Sequence, residues 1–143
     1  MMKENEDLLD EVYQATAMGL EATEALIPKV HYDPLREQME LQCENYRETE
    51  QKAKAMLRDD GRLPEERPRL KKAMFQGSLK INTAVNPDPK HIAEMMITGT
   101  SMGIINITKK LNALEDADDG ARQLAENYIA AEQGNIEELK KYL

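Results

Sequence analysis

The sequence has no tryptophan, one phenylalanine and one cysteine, and aromatic residues make up only 4% of it. Sheet cores lean on aromatic and β-branched side chains, so this shortage turns the expectation toward helices. The single cysteine, Cys43, excludes an internal disulfide. It has no nearby histidine or second cysteine to build a zinc site, which points to a reducing, cytoplasmic setting. Its acidic neighbours Glu40 and Glu44 disfavour a thiolate, so Cys43 is expected to serve as a small buried hydrophobe. Histidine is equally scarce, with only His31 and His91. Long apolar runs are missing too. The longest uncharged stretch, Met95 to Thr108, is about 14 residues, against the roughly 20 of a membrane span, and it carries hydroxyl, glycine and asparagine positions. It is expected to be a buried helix without stable membrane insertion. The acidic opening Met1 to Asp7 lacks the apolar core of a secretory signal. A phosphate-binding loop, a nucleophile–base pair and a Cys-x-x-Cys redox motif are all absent, which leaves no sequence argument for an enzyme.

What the chain does have is charge. Charged residues make up 32% of it and the net charge is −8, which argues against nucleic-acid binding because phosphate affinity needs clustered lysine and arginine. One stretch departs from this. Between Arg62 and Lys80, the cations Arg62, Arg67, Arg69, Lys71, Lys72 and Lys80 face only Glu65 and Glu66. With Leu70, Met74 and Ile81 at helical spacing, this stretch either covers one side of the fold or docks on an anionic surface.

The periodicities predict an all-α protein. From about Lys3 to Ile27, Leu8, Val12, Ala15, Gly19, Ala22 and Leu26 recur at spacings of three and four, the stripe by which a helix packs in a bundle. Pro28 ends that helix. Asp33-Pro34 predicts the next start, with aspartate as N-cap and proline in the first turn, Gly61 predicts the stop, and Leu35, Met39, Cys43, Tyr46, Ala53 and Leu57 are its expected core positions. A short amphipathic helix is expected inside the following connection. Asp88-Pro89 opens a third long helix to about Leu114, and a fourth runs from about Ala121 to Leu143 with Leu124, Tyr128, Ile129, Ile136, Leu139 and Leu143 toward its partners. Four helices of similar length, roughly 35 to 42 Å at 1.5 Å per residue, suit side-by-side packing. The connection near residues 61–88 is long enough to cross the bundle. The expected architecture is one four-helix-bundle domain over residues 1–143, two antiparallel hairpins joined by a long crossover.

That arrangement resembles the ferritin-like superfamily, and the resemblance covers nearly the whole chain. Its most specific parts are His91-Ile92-Ala93-Glu94-Met95-Met96 through Gly103, and Ala131 through Lys140. These segments are similar to functionally uncharacterised short ferritin-like proteins of anaerobic Gram-positive bacteria. Di-iron members of the superfamily use Glu-x-x-His on two helices, whereas the corresponding points here read Glu50-x-x-Ala53 and Glu132-x-x-Asn135. Activity through the usual di-iron site is therefore not expected.

Several residues remain candidates for chemistry or contact. Glu50 and Glu132 fall on core-type seams, where a carboxylate needs a partner or a metal. One possibility is a polar core network. The other is a degenerate oxygen-rich site for iron, manganese or zinc, with help from Glu21 or Glu24. His91 and Glu94, one turn apart, are a second metal candidate or simply a solvated first turn. Gly99-x-x-x-Gly103, with Met102 between, predicts a close helix contact within the bundle or across a homo-oligomer interface, a dimer being favoured. Methionine-rich walls at Met18, Met56, Met95, Met96 and Met102, together with the basic helix, would suit a small ligand or lipid. The leading expectation is a non-enzymatic scaffold or interaction protein without a cofactor.

Overall fold

A computed structural model describes residues 3–61 and 88–143. Within them the chain forms α1 (Lys3–Leu26), α2 (Asp33–Asp59), α3 (Pro89–Ala113) and α4 (Asp119–Leu139). Short 3-10 turns follow α1 at Ile27–Lys29 and α4 at Lys140–Tyr142. No strand occurs among the described residues. The short helix expected in the connection lies outside them.

The helix ends follow local chemistry. Pro28 sits at the start of the 3-10 turn that terminates α1. Gly61 takes φ +82°, a left-handed conformation that glycine adopts without steric cost, and its N–H donates to the Arg58 carbonyl at 2.9 Å. Asp88 caps α3 as expected, its carboxylate accepting from the Lys90 N–H at 3.0 Å. Asp33 does not cap α2. Tyr32 occupies that position without a side-chain cap, and the Asp33 carboxylate instead takes Arg36 at 2.6 Å. The fourth helix begins earlier than expected because Asp118 accepts from the Ala121 N–H at 2.9 Å. It also ends earlier, leaving Leu143 exposed rather than in the core.

Two apolar clusters fix how the helices run. One gathers Leu8 and Val12 from α1, Ala53 and Leu57 from α2, Ile107 and Leu111 from α3, and Leu124 and Tyr128 from α4. The other gathers Ala22 and Leu26, Leu35 and Met39, Ile92 and Met96, and Leu139. The start of α1 therefore lies with the end of α2, the end of α3 and the start of α4. It follows that α1 and α4 run one way and α2 and α3 the other. Both hairpins are antiparallel, and α3 begins at the end of the molecule where α2 began. Helix α1 packs on α2, α3 and α4, while α2 also packs on α4. Asn5 and Asp118 exchange two hydrogen bonds, side chain to side chain and backbone N–H to Asn5 Oδ1, which tie the first turns of α1 and α4 together.

Candidate functional site: a buried carboxylate between two tyrosines

Between the two apolar ends lies a belt of buried polar side chains: Thr16 on α1, Gln42, Tyr46 and Glu50 on α2, Thr100 on α3, and Tyr128, Glu132 and Asn135 on α4. Helix period explains the grouping. Tyr128 and Glu132 are one turn apart on α4, as are Gln42, Tyr46 and Glu50 on α2, so each set shares one face.

Glu132 is the centre of the belt and only 3% exposed. The Tyr46 hydroxyl donates to its Oε2 at 2.9 Å, and Asn135 Nδ2 donates to its Oε1 at 2.8 Å. The Tyr128 phenol, one turn back on α4, lies close enough to pull the Glu132 carboxyl down as well. Burial pushes the Glu132 carboxyl from 4.5 up to about 6, and the hydrogen bonds from Asn135, Tyr46 and Tyr128 pull it back. Burial raises both phenols well above the usual tyrosine value, and the neighbouring Glu132 carboxylate adds to the effect. Tyr46 and Tyr128 are therefore fixed donors. Gln42, one turn before Tyr46, accepts from Gln38 at 3.4 Å, while its Nε2 is a buried donor without a hydrogen-bond partner among the described residues. That amide still lies near enough to the Tyr46 phenol to pull its pKa slightly down.

Two glycines make room for the tyrosines. A Cβ at Gly103 on α3 would fall on the Tyr128 hydroxyl, and one at Gly19 on α1 would lie 3.0 Å from the Tyr46 ring. Gly103 is thus occupied from within the bundle, which gives it a packing role. Gly99 is different. A Cβ there meets nothing within 4 Å among the described residues, and Met102 is 58% exposed.

Of the other candidates, Glu50 is buried and lies 3.6 Å from Lys54, whose Nζ sits 5.7 Å from the Tyr13 ring centre. Glu94 is exposed and His91 half-buried. Glu24 is also exposed and pairs with Arg47 at 3.1 Å. Among the described residues, no three histidine, cysteine, aspartate or glutamate side chains converge into a group that could hold a metal. Cys43 is buried beneath an open pocket of about 360 Å³ lined by Glu24, Ile27, Pro28, Glu40, Glu44 and Arg47. Burial pushes its thiol up to about 11 despite the nearby Arg47. Of the methionines, Met56 packs at one apolar end and Met95 and Met96 at the other.

Sequence reasoning marked Glu132 but missed its partners. Tyr46 and Tyr128 read as core residues because their rings are apolar; the signal for their hydroxyls was a buried glutamate one turn beyond Tyr128. Asn135 was visible only as a missing histidine. No family model, curated protein or solved structure matches the chain. No helix among the described residues is long and apolar enough to cross a membrane.

Proposed function

We propose that this chain is a non-enzymatic helical-bundle scaffold or interaction protein with ferritin-like connectivity, working in the cytoplasm as a homo-oligomer. One observation carries the proposal: both oxygens of Glu132 are taken by the chain's own donors, Tyr46 and Asn135. A carboxylate engaged in this way is already held by its neighbours, and a metal would have to displace or share these bonds to enter. The shared direction of α2 and α3 supports the connectivity, and the replacement of each Glu-x-x-His by Glu50-x-x-Ala53 and Glu132-x-x-Asn135 supports a bundle that has left the di-iron chemistry behind. The net charge of −8 directs the interaction toward proteins rather than nucleic acid.

The test is elemental analysis with native mass spectrometry, on protein purified without chelators or a metal-affinity resin. The expected result is a metal-free and ligand-free protein. Near-stoichiometric iron, manganese or zinc that disappears in Glu132→Gln would overturn the proposal and make Glu50 and Glu132 a carboxylate metal site. A retained small molecule or lipid would overturn it in favour of a ligand-binding bundle.

A further inference from the structure

Helix α3 carries two seams. Ala93, Met96, Thr100, Ile107 and Leu111 face the core. On the opposite side, Thr98, Met102, Ile105 and Lys109 follow one another at spacings of four, three and four, and all are exposed. Met102 and Ile105 are 58% and 51% exposed. Beside them Gly99 leaves open space. A seam of this spacing is what one helix offers another in a coiled-coil-like contact.

The charges flanking the seam decide what fits it. Glu94 lies eight residues before Met102 and Lys109 seven residues after it, about 12 and 10 Å along the axis. Both are exposed, and neither forms an ion pair among the described residues. The seam is therefore self-complementary when reversed. We infer that a second copy of this chain docks antiparallel along the outer seam of α3, across a two-fold axis at Met102. In that pairing Met102 meets its counterpart, Ile105 of each copy lies over the open Gly99 of the other, and Glu94 faces Lys109 at both ends. A parallel pairing would set Glu94 against Glu94 and Lys109 against Lys109. Elsewhere an approach between two chains of net charge −8 meets acidic faces, such as Glu37, Glu40, Glu44 and Glu48 on α2. A seam whose central positions Thr98, Met102 and Ile105 are uncharged, with Glu94 and Lys109 toward its two ends, avoids that repulsion. A single helix-on-helix contact buries less than the roughly 800 Å² per partner of a standard stable interface, so the dimer is concentration-dependent.

This inference rests on the interaction-protein proposal and names its partner. The test uses the full chain. Sedimentation velocity over a concentration series shows a monomer–dimer equilibrium for the wild type. Glu94→Lys and Lys109→Glu each weaken it at least tenfold, and the double swap restores it, with helicity unchanged throughout. In a Cys43→Ala background, Met102→Cys forms a covalent dimer under mild oxidation, and Leu41→Cys, equally exposed on α2, does not. A wild type that stays monomeric at every concentration overturns the inference, as does a dimer indifferent to the charge swaps. A permanent monomer also removes the homo-oligomer from the proposed function, whereas a dimer indifferent to the swaps leaves it standing; the scaffold reading itself is decided by the metal analysis, so the failures are distinguishable.

Discussion

Replacing Glu132 with glutamine should abolish a specific part of the pH dependence of folding. In the folded chain the Glu132 carboxyl is raised from 4.5 to about 6 by burial. The folded state therefore holds this proton more tightly than the unfolded state does. Stability from this group is fully present below about pH 4.5 and is lost as pH rises through about 6, the reverse of a salt-bridged carboxylate. A shift of that size corresponds to about 2 kcal/mol, lost over roughly two pH units and constant above them. Glutamine keeps an oxygen for one tyrosine hydroxyl and removes the titration. The assay is urea unfolding of wild type and Glu132→Gln at matched pH values from 4 to 8, taking the difference so that other carboxylates cancel. The wild type should lose about 2 kcal/mol relative to the variant across that range. A difference that stays flat, or that grows in favour of the wild type at higher pH, would refute the assignment of Glu132 as a buried, burial-strained carboxylate.

The glycines of α3 should part company on substitution. Gly103→Ala drives a Cβ into the buried Tyr128 hydroxyl and is expected to cost about 1 to 3 kcal/mol in thermal or urea unfolding through overpacking. Gly99→Ala, which meets nothing within 4 Å, should stabilise the fold by up to about 1 kcal/mol through helix propensity, while weakening the dimer measured by sedimentation. Tyr46→Phe removes the donor to Glu132 Oε2 and should cost about 1 to 3 kcal/mol, with the Glu132 midpoint moving upward by NMR titration. Cys43, its thiol pushed up to about 11 by burial, should alkylate with iodoacetamide at pH 7.5 at least tenfold more slowly than in urea-unfolded protein.

How much of this was legible in the sequence follows from the range of the forces involved. Helix positions were legible because proline, glycine and aspartate act within one turn: Pro28, Gly61, Asp88 and Pro89 stand where they were expected. Asp33 failed as a cap because the helix begins one residue earlier: the Arg36 N–H bonds the Tyr32 carbonyl at 3.1 Å, which puts Asp33 inside the first turn, a one-residue shift that composition alone does not decide. Core positions on α2 were legible from period alone, with Leu35, Met39, Cys43, Tyr46, Ala53 and Leu57 all buried. The belt was half legible. Burial of Glu50 and Glu132 is a property of one helix face, but the hydroxyl of Tyr46 reaches Glu132 across 86 positions of chain, and no local pattern encodes that pairing. The glycines showed the same limit. Their spacing on α3 treats Gly99 and Gly103 as equivalent, and only the neighbouring helix reveals that Tyr128 fills one and leaves the other open.

The belt also explains why an all-helical core would keep a costly buried carboxylate. Two apolar clusters, one at each end, pack alanine, leucine and methionine against similar residues, and such surfaces tolerate sliding by a helical turn at modest cost. A one-turn shift of α4 against α2 would keep much of that apolar burial but would carry Glu132 about 5.4 Å from Tyr46 and leave its charge without donors. The Glu132 hydrogen bonds therefore set the register that the apolar ends leave loose. Replacing Glu132 and Asn135 with Leu together with Tyr46→Phe and Tyr128→Phe removes the carboxylate and its donors at once and leaves neither Tyr46 nor Asn135 as an orphaned donor. That quadruple variant should match or exceed the wild type in unfolding free energy, since apolar replacement of buried polar networks is often neutral or stabilising by about 1 to 4 kcal/mol. It should also broaden or multiply the amide signals of α2 and α4 in NMR spectra, as alternative registers become populated. Sharp, single signals in a variant that unfolds cooperatively would refute the register role and reduce the belt to a local hydrogen-bond cluster.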